Sequence, residues 1–417
     1  MRVVVTGIGM VTGLGMTREQ SWEGLKRGEH SFKVLDLPAY TGSHGFIGSP
    51  IPRRDRSPVA IALKAATEAI EDAGIRISDG LSSRFSPIDA SRIATVIGTS
   101  KGDLIQLSEA LGKRATEGHS AERPLSNWFK SWPNTAAAAV SMGLNLQGPC
   151  LSPVAACATG LIAAIQGAAL IGRGTCDVAL VGAADASLGQ FVLGAFRNMR
   201  VLARDDQEVG RGVRPWDRRR SGFLVGEGAA VIILESEAHA RGRGVVPYAE
   251  FAGGTFGADA YHITTLNPDP TNLAALIRRS LENARVDPSE IDHVNVHGTA
   301  TRTNDPLECQ AIRRALGVAA DDVSCSANKA QVGHLLGAAG AVELAFTVLA
   351  VCDGFVPPTM NLDDRDPLCD LDGTPNVGRS RAIRAALKLS IGFGGHLAAA
   401  VVRRVEPSRL AVTSFTL

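Results

Sequence analysis

The chain has 417 residues, which suggests about two to three domains at roughly 150 residues each. Hydrophobic residues make up 45% and charged residues 20%, the balance of a soluble globular protein whose core needs no staples. The 43 basic and 42 acidic residues leave a net charge of +1, which excludes the basic bias of a general nucleic-acid binder.

In chain order, MRVVVTGIGMVTGLG (1–15) is too short to span a bilayer and is broken by glycine, so it reads as a buried strand and turn rather than a signal peptide. After Pro50-Ile51-Pro52 the apolar spacing predicts a helix over 58–73. IATVIG (93–98) reads as a strand, and 155–172 as a turn followed by a nearly all-apolar helix. Strands follow at 176–185, 229–235 and 247–254, a helix at 272–284, and a strand running into a loop at 293–298. The last elements are a helix over 338–351, a strand entering a glycine loop at 386–395, and a loose tail over 407–417. No stretch reaches 18 apolar residues free of charge, so no membrane span is expected. The alternation predicts an α/β protein of two similar halves, 1–245 and 246–406. Seven scattered cysteines without CxxC spacing argue against a disulfide framework or zinc site and suit a reducing cytoplasm.

The sharpest local feature is VAACATG (154–160), where Cys157 stands among small residues at the start of the apolar helix. A helix N-terminus offers free N–H groups and partial positive charge, which favour a thiolate and could face an oxyanion. A cytoplasmic cysteine is more often buried and inert, but two histidines shift the balance. His297 in VNVHGTATRTND and His334 in KAQVGHLLGAAG both stand at switches from one element to the next, where α/β sheets gather ligands. They are the partners that a nucleophilic cysteine needs. A competing motif is GTSKG (98–102), a G-x-S-x-G pattern that would make Ser100 the nucleophile of a serine hydrolase. GIGMVTG (7–13) lacks the G-x-G-x-x-G spacing of a dinucleotide loop.

VAACATG, VNVHGTATRTND, NKAQVGHLLGAAGAVE and GFGG occur in that order, with RPWDRRRSGFLVGEGAAVIILE (214–235) between the first two. Together with the first strand they resemble the β-ketoacyl-[acyl-carrier-protein] synthases of the Cys-His-His class over nearly all of 1–405. The resemblance implies a thiolase fold, two related five-stranded halves in α-β-α-β-α layers, as a homodimer. It implies a condensing enzyme of fatty-acid or polyketide-type biosynthesis, cytoplasmic, with no cofactor. Its substrates would ride on the phosphopantetheine of acyl carrier protein. By position, Cys157 matches the acyl-accepting nucleophile, and His297 and His334 match the pair that holds the malonyl thioester carbonyl. The N–H groups of Cys157 and Phe393 match the oxyanion hole, and Phe393 also matches the gate to the acyl pocket. Thr299 and Thr301 match hydroxyls on the phosphopantetheine arm, with Gly394 beside them in the substrate site. Lys329 and Glu343 match a charged pair behind the second histidine, and Asn295, Asp305 and Glu308 further supporting groups. An idle chain-length-factor-like partner subunit would usually lack the cysteine, and initiating synthases carry asparagine where His334 stands.

The chain departs from the family pattern near its end, where it reads KLSIGFGGHL (388–397). Lys388 and Leu389 replace a Ser-Asn pair that, in the family, helps hold a structural monovalent cation with residues matching Asn295, Glu308 and Glu343. The Lys388 ammonium is expected to occupy or displace that cation. His396, Leu397 and Arg302 also differ from the pattern. Acyl carrier protein is acidic, so a basic docking surface is expected at Arg53, Arg54 and Arg56, with Arg204 in a second loop.

Overall fold

The computed structural model describes residues 1–37, 45–52, 57–76, 88–117, 125–204 and 208–405. The tail over 407–417 lies outside them. Strand β1 (Val3–Val11) is buried along its whole length. Helix α1 (Pro58–Asp72) starts with proline in its first turn behind the Ser57 cap, whose side chain accepts from Ala60 N. It lies so close to β1 that a Cβ on Gly7 or Gly9 would come 2.3 or 1.9 Å from the carbonyl oxygens of Ala69 and Ala65. Gly7 and Gly9 of GIGMVTG therefore serve helix packing, while Gly13 packs against Ser31 and Ser49.

The first half continues with β2 (Ile93–Gly98), β3 (Cys150–Leu151), α2 (Thr159–Gly172), β4 (Val178–Asp185) and β5 (Gly228–Ser236). The second half contains β6 (Ala249–Ala258), α3 (Thr271–Ala284), β7 (Ile291–Asn295), α4 (Asn304–Leu316), β8 (Ser324–Ser326), α5 (Ala339–Asp353), β9 (Ala385–Gly392) and β10 (His396–Arg403). These ten strands form one sheet in the order β8-β7-β9-β10-β6-β1-β5-β4-β2-β3. Read outward from the centre, each half has the same topology: β1-β5-β4-β2-β3 on one side and β6-β10-β9-β7-β8 on the other. The directions repeat as well. β1–β5 and β5–β4 are antiparallel and β4–β2 parallel, as are β6–β10, β10–β9 and β9–β7 in turn. The halves meet where Val4 and Val5 pair with Glu250 and Ala249. The expected two five-stranded α/β units are thus present, joined edge to edge.

Helices α2 and α5 occupy equivalent places in the two halves and cross each other in the core. A Cβ on Gly160 would lie 2.4 Å from Ala341 N, and one on Gly340 would lie 2.7 Å from Leu161 N. The segment Leu336–Asp353 is apolar and long enough to cross a membrane, but 89% of it is buried inside the protein. The sequence does not announce the short strands β3 and β8, the helices Arg18–Lys26, Thr135–Gly143 and Gln190–Asn198, helix α4 or strand β10. Helix α4 buries Asp305 and Glu308 among its apolar residues, which blurs its periodicity. β10 (HLAAAVVR) is alanine-rich and turns back immediately after the glycine loop. The segment expected as a strand running into a loop over 293–298 is strand to Asn295; Val296 N still donates to Ser326 O at 3.0 Å, and the amides of His297 and Gly298 turn to the Glu308 carboxylate.

The crossing predicts opposite effects for two glycines of one helix. Gly160→Ala forces backbone apart and lowers stability by about 1–3 kcal/mol. Gly172→Ala, where an added Cβ meets nothing within 4 Å, raises it or leaves it unchanged. Urea midpoints of the two variants check this.

Candidate active site

Cys157 lies in a single 3₁₀ turn, Ala156–Ala158, that runs directly into α2. Ala156 adopts a left-handed φ of 46°, so the chain kinks just before the sulfur. Thr159 fastens the kink: its Oγ1 accepts from Ala155 N at 2.9 Å and donates to Ala156 O at 2.8 Å. The turn Leu336–Ala338 leads into α5 in the same way, and His334 stands just before it. His334 is tied to the first half by backbone, donating to Leu224 O at 2.7 Å and accepting from Gly226 N at 3.0 Å. Gly333, at φ 74°, permits that approach, since a Cβ there would lie 3.0 Å from Gly226 N.

These two turns place His334 Nε2 3.1 Å from Cys157 Sγ. The His297 and His334 rings have centroids 5.5 Å apart and planes at 80°, and Phe223 packs edge-on against His334 at 4.9 Å. All three groups line one cavity of about 400 Å³, with Thr299, Thr301 and Phe393 on its walls. Gly392 is pressed against the nucleophile turn, where a Cβ would lie 2.7 Å from Ala155 O. The Phe393 N–H points at the Cys157 thiol. Gly394 and Gly395 make the return at φ 85° and 77°. The Thr299 and Thr301 hydroxyls lie 3.1 Å apart.

Burial sets the charge states. It pushes the Cys157 thiol up to about 12, against the opposing Lys329 charge. The resting group is a thiol rather than the helix-stabilised thiolate expected from the sequence. Burial, aided by Lys329, holds both His297 and His334 well below the usual imidazole range, so both are neutral. Glu308 accepts from His297 N at 2.5 Å and Gly298 N at 2.9 Å, and burial raises it to about 7. Asp305 accepts from Trp216 N at 2.9 Å, fixing the start of α4. Fully buried Lys329 donates to the His297 carbonyl and to Glu343 Oε1, the latter at 2.6 Å.

Family models for the N-terminal and C-terminal domains of β-ketoacyl synthase match residues 55–240 and 248–363. The chain is 33% identical to 3-oxoacyl-[acyl-carrier-protein] synthase 2 of Coxiella burnetii, covering 97% of this chain and 99% of that one. It is 36% identical to a putative polyketide beta-ketoacyl synthase 1 of Streptomyces cyaneus, covering 96% and 97%. A solved complex of a type II polyketide acyl carrier protein with its ketosynthase, bound to the hexaketide, superposes with a TM-score of 0.91 at 32% identity over 97% of this chain and 99% of that one. The chain belongs to the β-ketoacyl synthase family.

That family of condensing acyltransferases accounts for the competing motif. Ser100 follows β2 just as His297 follows β7 in the equivalent half, so its loop copies an active-site loop in position. Its partners are different: Lys101 Nζ donates to Ser100 Oγ at 2.8 Å and to Asp185 Oδ1 at 2.7 Å, and Ser100 N donates to Asp185 Oδ2 at 3.2 Å. Asp185 also accepts from Gly337 N at 2.9 Å, so the cluster braces the turn that precedes α5.

Arg53, Arg54 and Arg56 lie outside the described residues. Arg204 is exposed beside a second cavity of about 750 Å³ that Arg197, Arg200 and Arg302 also line. This basic cavity shares Val201, Thr301 and Thr303 with the first, so the two adjoin. The sequence reading missed several groups. His262 lines the first cavity from a loop, with Nδ1 accepting from Thr264 N and Thr265 N at 3.1 and 3.2 Å. Arg220 is buried and donates to Thr301 O at 3.0 Å and Arg302 O at 3.3 Å, holding the threonine loop. Only the length of DAYHITT and the basic run RPWDRRR hinted at either.

The residues that would hold the monovalent cation implied by the family do not fit one. Lys388 Nζ lies 2.7 Å from Glu343 Oε2 and also donates to Leu389 O, while Lys329 takes the other carboxylate oxygen. Both Glu308 oxygens are committed to backbone amides.

A thiol raised by burial predicts a particular alkylation profile. Iodoacetamide labelling of Cys157, followed by mass spectrometry, should accelerate about tenfold per pH unit from pH 6 to 9 with no plateau. A plateau in that range would show a resting thiolate.

Proposed function

We propose that this chain takes an acyl group from a carrier-protein thioester onto Cys157 and elongates it by decarboxylative condensation with a malonyl thioester, in fatty-acid or polyketide-type biosynthesis. The observation that carries this reading is the 3.1 Å contact of Cys157 Sγ with His334 Nε2 in a cavity that also holds His297. In the first half-reaction the thiol proton passes to neutral His334. The sulfur attacks the acyl thioester, and the oxyanion forms against the N–H groups of Cys157 and Phe393. The carrier thiol leaves with the proton.

In the second half-reaction the malonyl thioester carbonyl lies against His297 and His334. Carbon dioxide departs, and the electron pair it leaves becomes an enolate held by hydrogen bonds from the imidazoles. A neutral donor suits this task, and the low pKa of both rings keeps them in that form at neutral pH. The carbanion attacks the acyl-cysteine carbonyl; a carbon–carbon bond forms, the carbon–sulfur bond breaks, and the released thiolate takes up one proton from solvent, because the first one left with the carrier thiol. Thr299 and Thr301 hold the phosphopantetheine arm, with Gly394 at its side, and Phe393 gates the acyl pocket. Lys329, Glu343, Asp305, Glu308 and Asn295 position the histidines. No resident cofactor is required by these steps.

The partner in this reading is acyl carrier protein, drawn to the arginines at 53, 54, 56 and 204 and to the basic cavity beside Arg204. The protein works as a homodimer in the cytoplasm, where its seven free cysteines stay reduced. The division into halves 1–245 and 246–406 belongs to the same proposal.

Incubation with acyl-carrier thioesters of graded length, followed by intact-protein mass spectrometry, should leave an acyl group on the wild type and none on Cys157→Ala. His297→Asn should still acylate but fail to decarboxylate malonyl carrier. Acylation that survives Cys157→Ala would overturn the reading. Arg200→Glu with Arg204→Glu should raise KM for carrier-bound substrate while leaving KM for a small acyl thioester unchanged, as measured by steady-state kinetics at fixed salt.

A further inference from the structure

Behind the histidines lies a charge arrangement that the reaction steps above do not explain. Lys388 comes from the middle of β9, paired in register with Asn295 of β7, and its side chain is fully buried. It shares one carboxylate with Lys329: Glu343 Oε2 accepts from Lys388 at 2.7 Å and Oε1 from Lys329 at 2.6 Å. A single Lys–Glu pair would be neutral. The second ammonium makes the buried trio formally +1, because two lysines face one glutamate. Nearby Asn295 Oδ1 has no hydrogen-bond partner among the described residues. The site therefore has the oxygen-rich character of a cation cradle, and the charge at its centre is covalently attached to the chain.

We propose that Lys388 is a tethered cation that takes the place of an exchangeable monovalent metal ion, and that it acts as a positioning residue for His297. The route is short. Lys388 neutralises one oxygen of Glu343; Glu343 holds Lys329; Lys329 donates to the His297 carbonyl. Asn295, beside Lys388 in the sheet, lies two residues before His297 on the same segment. A lysine ammonium is a compact point charge with three donors, suited to replace a metal ion among oxygens. A second cation could enter only beside two ammoniums in a dry environment, where like charges repel strongly. The positioning role rests on the proposed condensing function; the exclusion of metal ions does not.

The test uses the full chain in chloride buffers of potassium, sodium or tetramethylammonium, the last a bulky cation that cannot shed its methyl groups to be coordinated by oxygens. For the wild type, melting temperature and kcat should be the same in all three. Lys388→Ser removes the charge and opens the site. Its melting temperature should rise saturably with potassium, and its kcat in tetramethylammonium should fall by about 10- to 100-fold with KM little changed. Potassium should restore kcat. Lys388→Met fills the volume without charge, and potassium should rescue neither its stability nor its kcat. A saturable potassium dependence in the wild type would overturn the tethered-cation inference. So would Lys388→Ser keeping full kcat without potassium, or losing stability with no potassium response. Because melting is read without substrate, a failure of the condensing function itself would show separately, as a wild type that never acylates Cys157.

Discussion

The backbone-to-backbone crossing of α2 and α5 is the constraint on which the site depends. Gly160 and Gly340 bring the two helices closer than any side chain would allow. Each helix begins with a short 3₁₀ turn, and the two turns carry the cysteine and lead from the second histidine. Sulfur and imidazole therefore meet without a dedicated loop to aim them. The 3.1 Å contact is a by-product of how the two halves pack. A larger residue at either crossing point would shift both turns before it changed any group that touches substrate.

Burial follows from that crossing and governs the chemistry. With the Cys157 turn packed against Gly392 and the start of the crossing helices, water does not stabilise charge there, and thiol and imidazoles remain neutral at rest. The protein then needs charge near the histidines that cannot be lost to solvent. It supplies two fully buried lysines that share the Glu343 carboxylate and hydrogen-bond to it, because an unpaired buried ion would cost several kcal/mol. Lys329 reaches the His297 carbonyl, while Glu308 clamps the His297 and Gly298 amides. His297 is thus held by its backbone from both sides, which fixes the ring without engaging its nitrogens.

Strands β1, β2, β4, β5, β6, β7 and β9 and helices α1, α2, α3 and α5 were legible because each apolar run is closed by glycine, proline or a change of period, and those signals are local. Cys157, His297 and His334 were legible because each stands among small residues at a switch between elements. What could not be read arises from packing. Helix α4 looks solvent-facing, yet Asp305 and Glu308 turn inward to bond the backbone of a neighbouring segment. Helix-terminus reasoning at Cys157 pointed to a thiolate, but the dipole effect is worth about 0.3–2 kcal/mol. Burying a thiolate costs more, a term that spacing does not reveal. His262 reaches the cavity only because its loop is tied to the glycine turn, with Gly394 N donating to Ile263 O at 2.7 Å.

The repeated topology gives each half a loop at an equivalent strand end, although only one of the two presents a histidine to the cavity. Since β2 and β7 occupy equivalent positions, GTSKG in the first half and HGTAT in the second are loops at equivalent strand ends. The first-half loop holds Ser100 on Lys101 and Asp185, and Asp185 in turn grips Gly337 ahead of α5. The second-half loop holds His297 on Lys329 and Glu308. One copy thus anchors the neighbouring half, while the other presents a histidine to the cavity.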